Sequence, residues 1–108
     1  IKGNYKIKRS FCYITDVVLG ILFIILKGKD GESYNIANPS QTLKIIELAN
    51  LISKISKQKI IIKNRNYTVR NNFEYPIISI NKIKKLGWSP TINLKSGIIK
   101  TIKFFKDN

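Results

Sequence analysis

The chain has 108 residues and can therefore hold one small domain at most. Its formal net charge of +14 would attract polyanions. However, seventeen of its twenty basic residues are Lys and only three are Arg, whereas phosphate and base recognition favours the guanidinium fork. The abundance of Lys, Ile and Asn is what an AT-rich coding sequence produces, so we do not expect nucleic acid as a partner.

Metal, disulfide and membrane signals are absent from the sequence. Cys12 is the single cysteine and there is no histidine, so neither an intrachain disulfide nor a Cys/His metal site is expected. The longest apolar run, residues 17–26, is about half the length that a bilayer core requires. No signal-peptide pattern precedes it. We expect a cytoplasmic protein with no membrane contact.

A strand and an apolar helix are predicted first along the chain. Residues 5–13 are rich in aromatic and β-branched side chains, which indicates a strand. Thr15 is a candidate N-cap, Asp16 suits the first turn of a helix, and Gly28 suits a C-cap. The predicted helix over 16–27 is apolar nearly all round, so its partners must cover more than one face.

The middle of the chain predicts two further strands and an amphipathic helix. Residues 33–37 are read as a short strand that ends in the loop 38–40. Thr42 is expected to cap a helix over 43–56, whose apolar residues fall on one face. Residues 59–63 are β-branched and are predicted to form a strand.

The last part of the chain is predicted to be mainly helical. Residues 64–72 are polar and read as irregular, and residues 81–86 as a short helix stopped by Gly87. Asn93 is expected to cap a helix over 94–106. This helix carries an apolar stripe at helical spacing: Leu94, Ile98, Ile102 and Phe105. Trp88 is interpreted as a packing residue.

Five motifs occur in a fixed order along the chain. The first, R-S-F-C-Y-I-T-D at 9–16, is similar to the R-x-F-x-Y-V-x-D signature of sugar-nucleotide epimerases, dehydratases and decarboxylases. The second, G-E-S-Y-N-I-A-N at 31–38, resembles G-x-x-Y-N-I-G-N. The remaining three, at 43–52, 79–90 and 94–102, resemble the helix I-S-I-x-E-L-A-x-L-I, then D-x-S-K-x-x-x-L-G-W-x-P and L-x-x-G-I-x-x-T-I. Together they resemble NAD-dependent epimerases/dehydratases of the extended short-chain dehydrogenase/reductase family.

This resemblance implies an α/β fold and a larger enzyme. Relatives combine a Rossmann-type NAD(P)-binding domain with a smaller C-terminal region that binds a nucleoside-diphosphate sugar, and they are commonly homodimers. Residues 16–37 would then be the last helix and strand of the cofactor sheet, and 38–108 the substrate lobe, with about four helices and three to four short strands overall. Because the sequence starts at Ile1 and contains no methionine, we expect a fragment without the NAD-binding domain.

Two motifs of the family's chemistry are missing from the sequence. No G-x-x-G-x-x-G turn for the cofactor pyrophosphate occurs, and none of the five tyrosines has a lysine four residues later. We therefore expect no catalytic residue and no bound cofactor in this chain, with NAD(P) belonging to the whole enzyme. The chain alone is predicted to be inactive.

Four residues are candidate substrate ligands by this resemblance. Arg9 matches an arginine that contacts the diphosphate, although it can equally be an exposed strand residue. Phe11 matches an aromatic residue of the same pocket, and Pro39 lies where the strand-end loop touches the base; core packing and turn formation are their respective alternatives. Arg70 is a candidate second diphosphate ligand, with Arg65 or neither as the alternatives.

Asp16 lies near Arg9 in sequence, but helix capping is the preferred interpretation of its role. The function expected from these observations is the nucleotide-sugar-binding part of an enzyme that makes activated sugars for surface polysaccharide. Two alternatives stay open. One is a basic nucleic-acid-binding module, with Tyr and Phe residues stacking on bases; the other is a gene remnant without function.

Overall fold

A computed structural model describes residues 5–63 and 76–108. Within these ranges the chain is α/β, with four helices and one two-stranded sheet, which confirms the predicted fold class and number of helices. In chain order the elements are β1 (Lys8–Ser10), α1 (Ile14–Lys27), a 3₁₀ turn (Pro39–Gln41), β2 (Thr42–Lys44), α2 (Ile45–Ser56), α3 (Asn81–Lys84) and α4 (Leu94–Asp107).

The sheet joins two segments that are far apart in sequence. Strands β1 and β2 pair antiparallel, with Arg9 opposite Leu43 and Ser10 opposite Thr42. The strand predicted over 5–13 is correctly placed but too long, because the paired ladder covers only Lys8–Ser10 and the Ile7 and Phe11 backbones bond to single residues beside β2, Ile45 and Gln41. The sheet fixes Arg9 beside the loop that precedes β2.

Thr42 does not cap a helix, contrary to the prediction. It lies in β2, and its Oγ1 donates a 2.7 Å hydrogen bond to the Pro39 carbonyl. Helix α2 begins three residues later at Ile45, where the Glu47 carboxylate accepts a 2.6 Å bond from the Lys44 amide. Long-range pairing with β1 therefore prevails over the local capping signal.

Helix α1 begins at Ile14, two residues before the predicted start, and its N-cap residue is Tyr13 rather than Thr15. Gly28 is confirmed as the C-cap, with its amide donating to the Ile24 carbonyl at 2.8 Å. The helix leaves much apolar surface uncovered by the described residues. Between 46% and 79% of each of the following side chains is exposed: Ile14, Val18, Leu19, Ile21, Leu22, Ile25 and Leu26.

Two predicted strands are not formed. Residues 33–37 and 59–63 do not lie in strands. The described part of the chain contains two strands instead of the predicted three to four. Between 33 and 37 no backbone amide donates a hydrogen bond to another described residue. An extended segment becomes a strand only beside a neighbour with which it forms a hydrogen-bond ladder, and no such neighbour is described here. The prediction for 64–72 concerns residues that lie outside the described ranges.

The core forms around Trp88, which confirms its packing role. Trp88 is buried together with Ala37, Ile80 and Ile83. Gly87, at φ +102°, makes the turn that carries the chain from α3 into this core. A Cβ atom on Gly20 would lie 3.2 Å from the Trp88 ring, so the small residue allows α1 to approach the core closely.

Helix α3 is shorter than predicted, and α4 begins at the predicted residue. The Asn93 side chain accepts a 2.8 Å bond from the Ser96 amide, which confirms the N-cap. The stripe of α4 is only partly covered, since 72% of Phe105 is exposed. None of the helices among the described residues is both long enough and apolar enough to cross a membrane.

Candidate functional site

Arg9 lies in the centre of β1, with an exposed side chain. Its backbone position is fixed by pairing with Leu43 of β2. An exposed guanidinium group on a fixed strand can approach a charged ligand without first leaving a buried position. Lys8 precedes it on the same strand and is also exposed, which makes Lys8 a natural comparison residue.

Phe11 follows β1 and is half-buried. Its amide donates a 3.1 Å hydrogen bond to the Gln41 carbonyl. Its side chain lines an apolar cavity of about 320 Å³ together with residues of α2 and α4. The other lining residues are Cys12, Tyr13, Leu48, Ile52, Ile92, Asn93, Leu94, Gly97, Ile98, Thr101 and Ile102.

Pro39 opens the 3₁₀ turn and lines a second, more polar cavity of about 420 Å³. Lys84 of α3 contributes the positive charge of its wall. The remaining lining residues are Asn38, Ser40, Ile78, Ser79, Ile80, Asn81, Ser89 and Pro90. Phe11 and Pro39 therefore line different cavities.

The two segments that carry these candidates are nevertheless bonded to each other. The Ser10 hydroxyl donates a 2.8 Å hydrogen bond to the Asn38 carbonyl, next to Pro39. The bond from the Phe11 amide to Gln41 is the second link. The structure thus joins the segments of Arg9, Phe11 and Pro39, whereas Arg70 and Arg65 lie outside the described residues.

Asp16 does not cap α1, and this corrects the sequence-based interpretation. Its side chain makes no capping bond at the helix start and is only 2% exposed. The carboxylate accepts hydrogen bonds from the Thr91 amide at 3.1 Å, the Thr91 hydroxyl at 3.1 Å and the Ile92 amide at 2.9 Å. The acid still lies in the first turn, where the helix dipole favours it. Its hydrogen-bond partners, however, are 75 and 76 residues away.

Two further side chains hold the same segment from its other side. The Asn38 side-chain amide donates to the Ile92 carbonyl at 3.4 Å, and the Gln41 side chain accepts a 2.8 Å bond from the Leu94 amide. Asn38 is only 4% exposed. The sequence carries only a weak signal for these roles of Asn38 and Gln41. The available signal is that Asn38 ends the motif at 31–38 and Gln41 follows two residues after Pro39.

Cys12 directly follows Phe11 in sequence and is half-buried. Burial raises the pKa of its thiol above the ordinary value, and the nearby Asp16 carboxylate raises that pKa further. A thiol with a raised pKa carries less thiolate at neutral pH and is a poorer nucleophile. Among the residues described, no three His, Cys, Asp or Glu side chains are grouped so that they could hold a metal ion.

Comparison with known proteins adds independent evidence. No family model matches the chain. The human dTDP-D-glucose 4,6-dehydratase is 36% identical over 115 aligned positions, which cover all of this chain and 32% of the human protein. Identity of this level over the whole chain indicates common descent.

Solved structures agree with the sequence relatives. The UDP-glucose 4-epimerase of Thermotoga maritima, solved with UDP-glucose, superposes with a TM-score of 0.78 at 25% identity, over 99% of this chain and 34% of the epimerase. The Bordetella bronchiseptica enzyme WbmF, solved with NADH, gives a TM-score of 0.81 at 25% identity, over 100% of this chain and 32% of that enzyme. The chain belongs to the NAD-dependent epimerase/dehydratase family. It spans about a third of the length of the family members it matches.

Proposed function

We propose that the chain is the nucleotide-sugar-binding part of an NAD-dependent sugar-nucleotide epimerase, 4,6-dehydratase or decarboxylase. One observation carries the proposal. Arg9, Phe11 and Pro39, which match the family's substrate ligands, lie on two segments that are bonded to each other through Ser10 and Phe11. The bound UDP-glucose of the Thermotoga epimerase supports a nucleoside-diphosphate sugar as the ligand class.

The proposed roles follow from the chemistry of the side chains. The guanidinium group of Arg9 carries a permanent charge and several donors in one plane, so it suits the diphosphate. Phe11 and Pro39 are apolar and rigid, and they suit the flat face of the base. In this proposal Arg70 is the second diphosphate ligand.

We assign the domains by the same reasoning. The uncovered apolar side chains of α1 and the unpaired segment 33–37 support a role for residues 16–37 in completing the sheet of a cofactor domain. Residues 38–108 then form the substrate lobe. Ile36 packs against Gly20 of α1, as a strand packs against its covering helix. NAD(P) binds to the remaining two-thirds of the enzyme, so this chain alone has no activity.

The biological setting is part of the proposal. The complete enzyme is a cytoplasmic homodimer that supplies activated sugars for surface polysaccharide. The chain's own contribution is to recognise the nucleoside diphosphate, while the chemical step on the sugar uses residues outside this chain.

Calorimetric titration of the purified chain with UDP-glucose and dTDP-glucose tests the proposal. We expect Arg9→Ala to weaken binding by about ten- to a hundredfold, the usual effect of removing a charged hydrogen-bond donor. Lys8→Ala is the matched control, because it removes the same charge from the same strand. Absence of binding to both ligands, or an equal loss in the two variants, would contradict the proposal.

A titration with a random single-stranded oligonucleotide tests the alternative that the chain is a basic nucleic-acid-binding module. Non-specific binding to lysines weakens steeply as salt rises, and removing either Arg9 or Lys8 should then reduce it equally. Oligonucleotide binding without nucleotide-sugar binding would replace the proposed function with that alternative.

A further inference from the structure

The carboxylate of Asp16 is a buried charge whose described partners are all neutral. It accepts three hydrogen bonds, two from backbone amides and one from the Thr91 hydroxyl. A buried ionised carboxylate carries a large desolvation cost unless hydrogen bonds offset it. Here three donors converge on the group. The segment that supplies them is thereby fixed against the first turn of α1.

That segment, residues 91–94, is also fixed to the loop of Pro39. The Asn38 side chain donates to Ile92, and the Leu94 amide donates to the Gln41 side chain. The loop is bonded in turn to Ser10 and Phe11. Three chain segments, 10–16, 38–41 and 91–94, are therefore each bonded to both of the others.

This closed arrangement determines the relative positions of the candidate ligands. Phe11 lies within segment 10–16 and Arg9 directly precedes that segment, whereas Pro39 lies within segment 38–41. Segment 91–94 contains none of the candidate ligands, but three of its residues line the apolar cavity beside Phe11. The Asp16 side chain accepts the hydrogen bonds that join segment 10–16 to segment 91–94.

We infer that Asp16 is a positioning residue of the nucleotide-sugar site. Through residues 91–94 it adds a second connection between the segment of Arg9 and Phe11 and the Pro39 loop, beside the direct bonds of Ser10 and Phe11. The inference rests on the proposed function, since it concerns the same site. It makes Asp16 matter for ligand affinity even though the buried carboxylate does not contact the ligand.

The affinity for UDP-glucose, measured by calorimetry, tests this inference. Asp16→Asn removes the charge while keeping the side-chain shape, and we expect it to weaken binding about tenfold. Ile83→Val is the matched control, because it truncates a fully buried core residue on α3 that does not bond to the three segments. At a comparable loss of thermal stability, the control should keep its affinity within about twofold.

Thr91→Val provides a second variant in case Asp16→Asn fails to fold. It removes one of the three donors and leaves the carboxylate in place. We expect a smaller loss of affinity in the same direction, about two- to fivefold. Unchanged affinity in both Asp16→Asn and Thr91→Val would overturn the inference.

A double-mutant cycle with Arg9→Ala distinguishes positioning from general stability. If Asp16 acts by placing Arg9 and its neighbours, most of the effect of Asp16→Asn on affinity disappears in the Arg9→Ala background. Fully additive losses would overturn the inference. Failure of the unaltered chain to bind any nucleotide sugar would instead remove the proposed function, and this inference with it. Normal binding that is sensitive to Arg9 but not to Asp16 would overturn the positioning role alone.

Discussion

The indole Nε1 of Trp88 donates a 2.9 Å hydrogen bond to the backbone carbonyl of Asp16, 72 residues earlier in the chain. Trp88 is 2% exposed, so the bond is shielded from water. The same residue packs beside Gly20, one turn further along α1. Trp88 therefore attaches the start of α1 to the segment that carries the Asp16 hydrogen-bond donors.

Replacing Trp88 by Phe should lower the free energy of unfolding by about 2–3 kcal/mol, because a buried hydrogen bond and part of a buried ring are lost together. Urea denaturation followed by circular dichroism measures this, since the variant has no tryptophan fluorescence. Phe104→Leu, at an exposed aromatic of α4, is the control and should change stability by less than about 0.5 kcal/mol. Equal stability of the two variants would show that the Trp88 bond contributes little.

Gly97 leaves no room for a side chain between α4 and Tyr13. A Cβ atom at this position would lie 2.9 Å from Cδ2 of the Tyr13 ring and 3.4 Å from its Cγ. Gly97→Ala should therefore destabilise the fold by about 1–3 kcal/mol, despite the better helix propensity of alanine. Thermal unfolding measures the change, with Lys103→Ala on the same helix as the control. A stabilised Gly97→Ala variant would mean that the Tyr13 ring moves aside at little cost.

The raised pKa of Cys12 predicts how the rate of alkylation of its thiol depends on pH. Because burial and the Asp16 carboxylate both raise this pKa, less of the thiol is ionised at a given pH, and alkylation by iodoacetamide should be slow near neutral pH. The rate should rise with pH to a midpoint above that of free cysteine. Stability contributed by the protonated thiol is present at neutral pH and is lost as pH rises through the folded-state pKa.

Two comparisons test whether burial and the Asp16 carboxylate cause the raised pKa of Cys12. Unfolding the chain in urea should return the midpoint of alkylation to the ordinary value. Asp16→Asn should lower the midpoint by a smaller amount, since burial is the larger cause. A midpoint at or below that of free cysteine in the folded chain would contradict the described environment of Cys12.

The uncovered face of α1 predicts self-association of the isolated chain. Leu22 and Ile25 are 46% and 70% exposed, and apolar patches of this kind promote association in water. Replacing both by Gln should shift sedimentation towards the monomer, whereas Lys103→Gln on α4 should leave it unchanged. A chain that is monomeric at all concentrations, before any substitution, would contradict this prediction.

Local signals in the sequence predicted local features well. Gly28 ends α1 and Asn93 caps α4 because each acts within one turn of its own helix. One local prediction failed, since the N-cap of α1 is Tyr13 rather than Thr15. Other predictions failed because they depend on distant residues. Thr42 pairs with Ser10, and the unpaired segment 33–37 needs a neighbouring strand that the described part of the chain does not provide.

The candidate site was predicted in the same uneven way. Motif resemblance selects Arg9, Phe11 and Pro39 as candidates, and the structure joins their segments through Ser10 and Phe11. Their role as ligands stays a prediction. The role of Asp16 was missed because an acid in a first turn satisfies a local rule, while its hydrogen-bond donors are 75 and 76 residues away. A one-dimensional pattern carries no information on which distant amides a buried carboxylate will meet.

The central claim is that these segments form one nucleotide-sugar site, and NMR titration of the ¹⁵N-labelled chain with UDP-glucose tests it most directly. We predict that the largest amide shifts occur at Arg9, Phe11 and Ser40, with the same titration curve at all three positions. Shifts scattered over the exposed lysines of α4, with Arg9 and Ser40 unchanged, would contradict the claim.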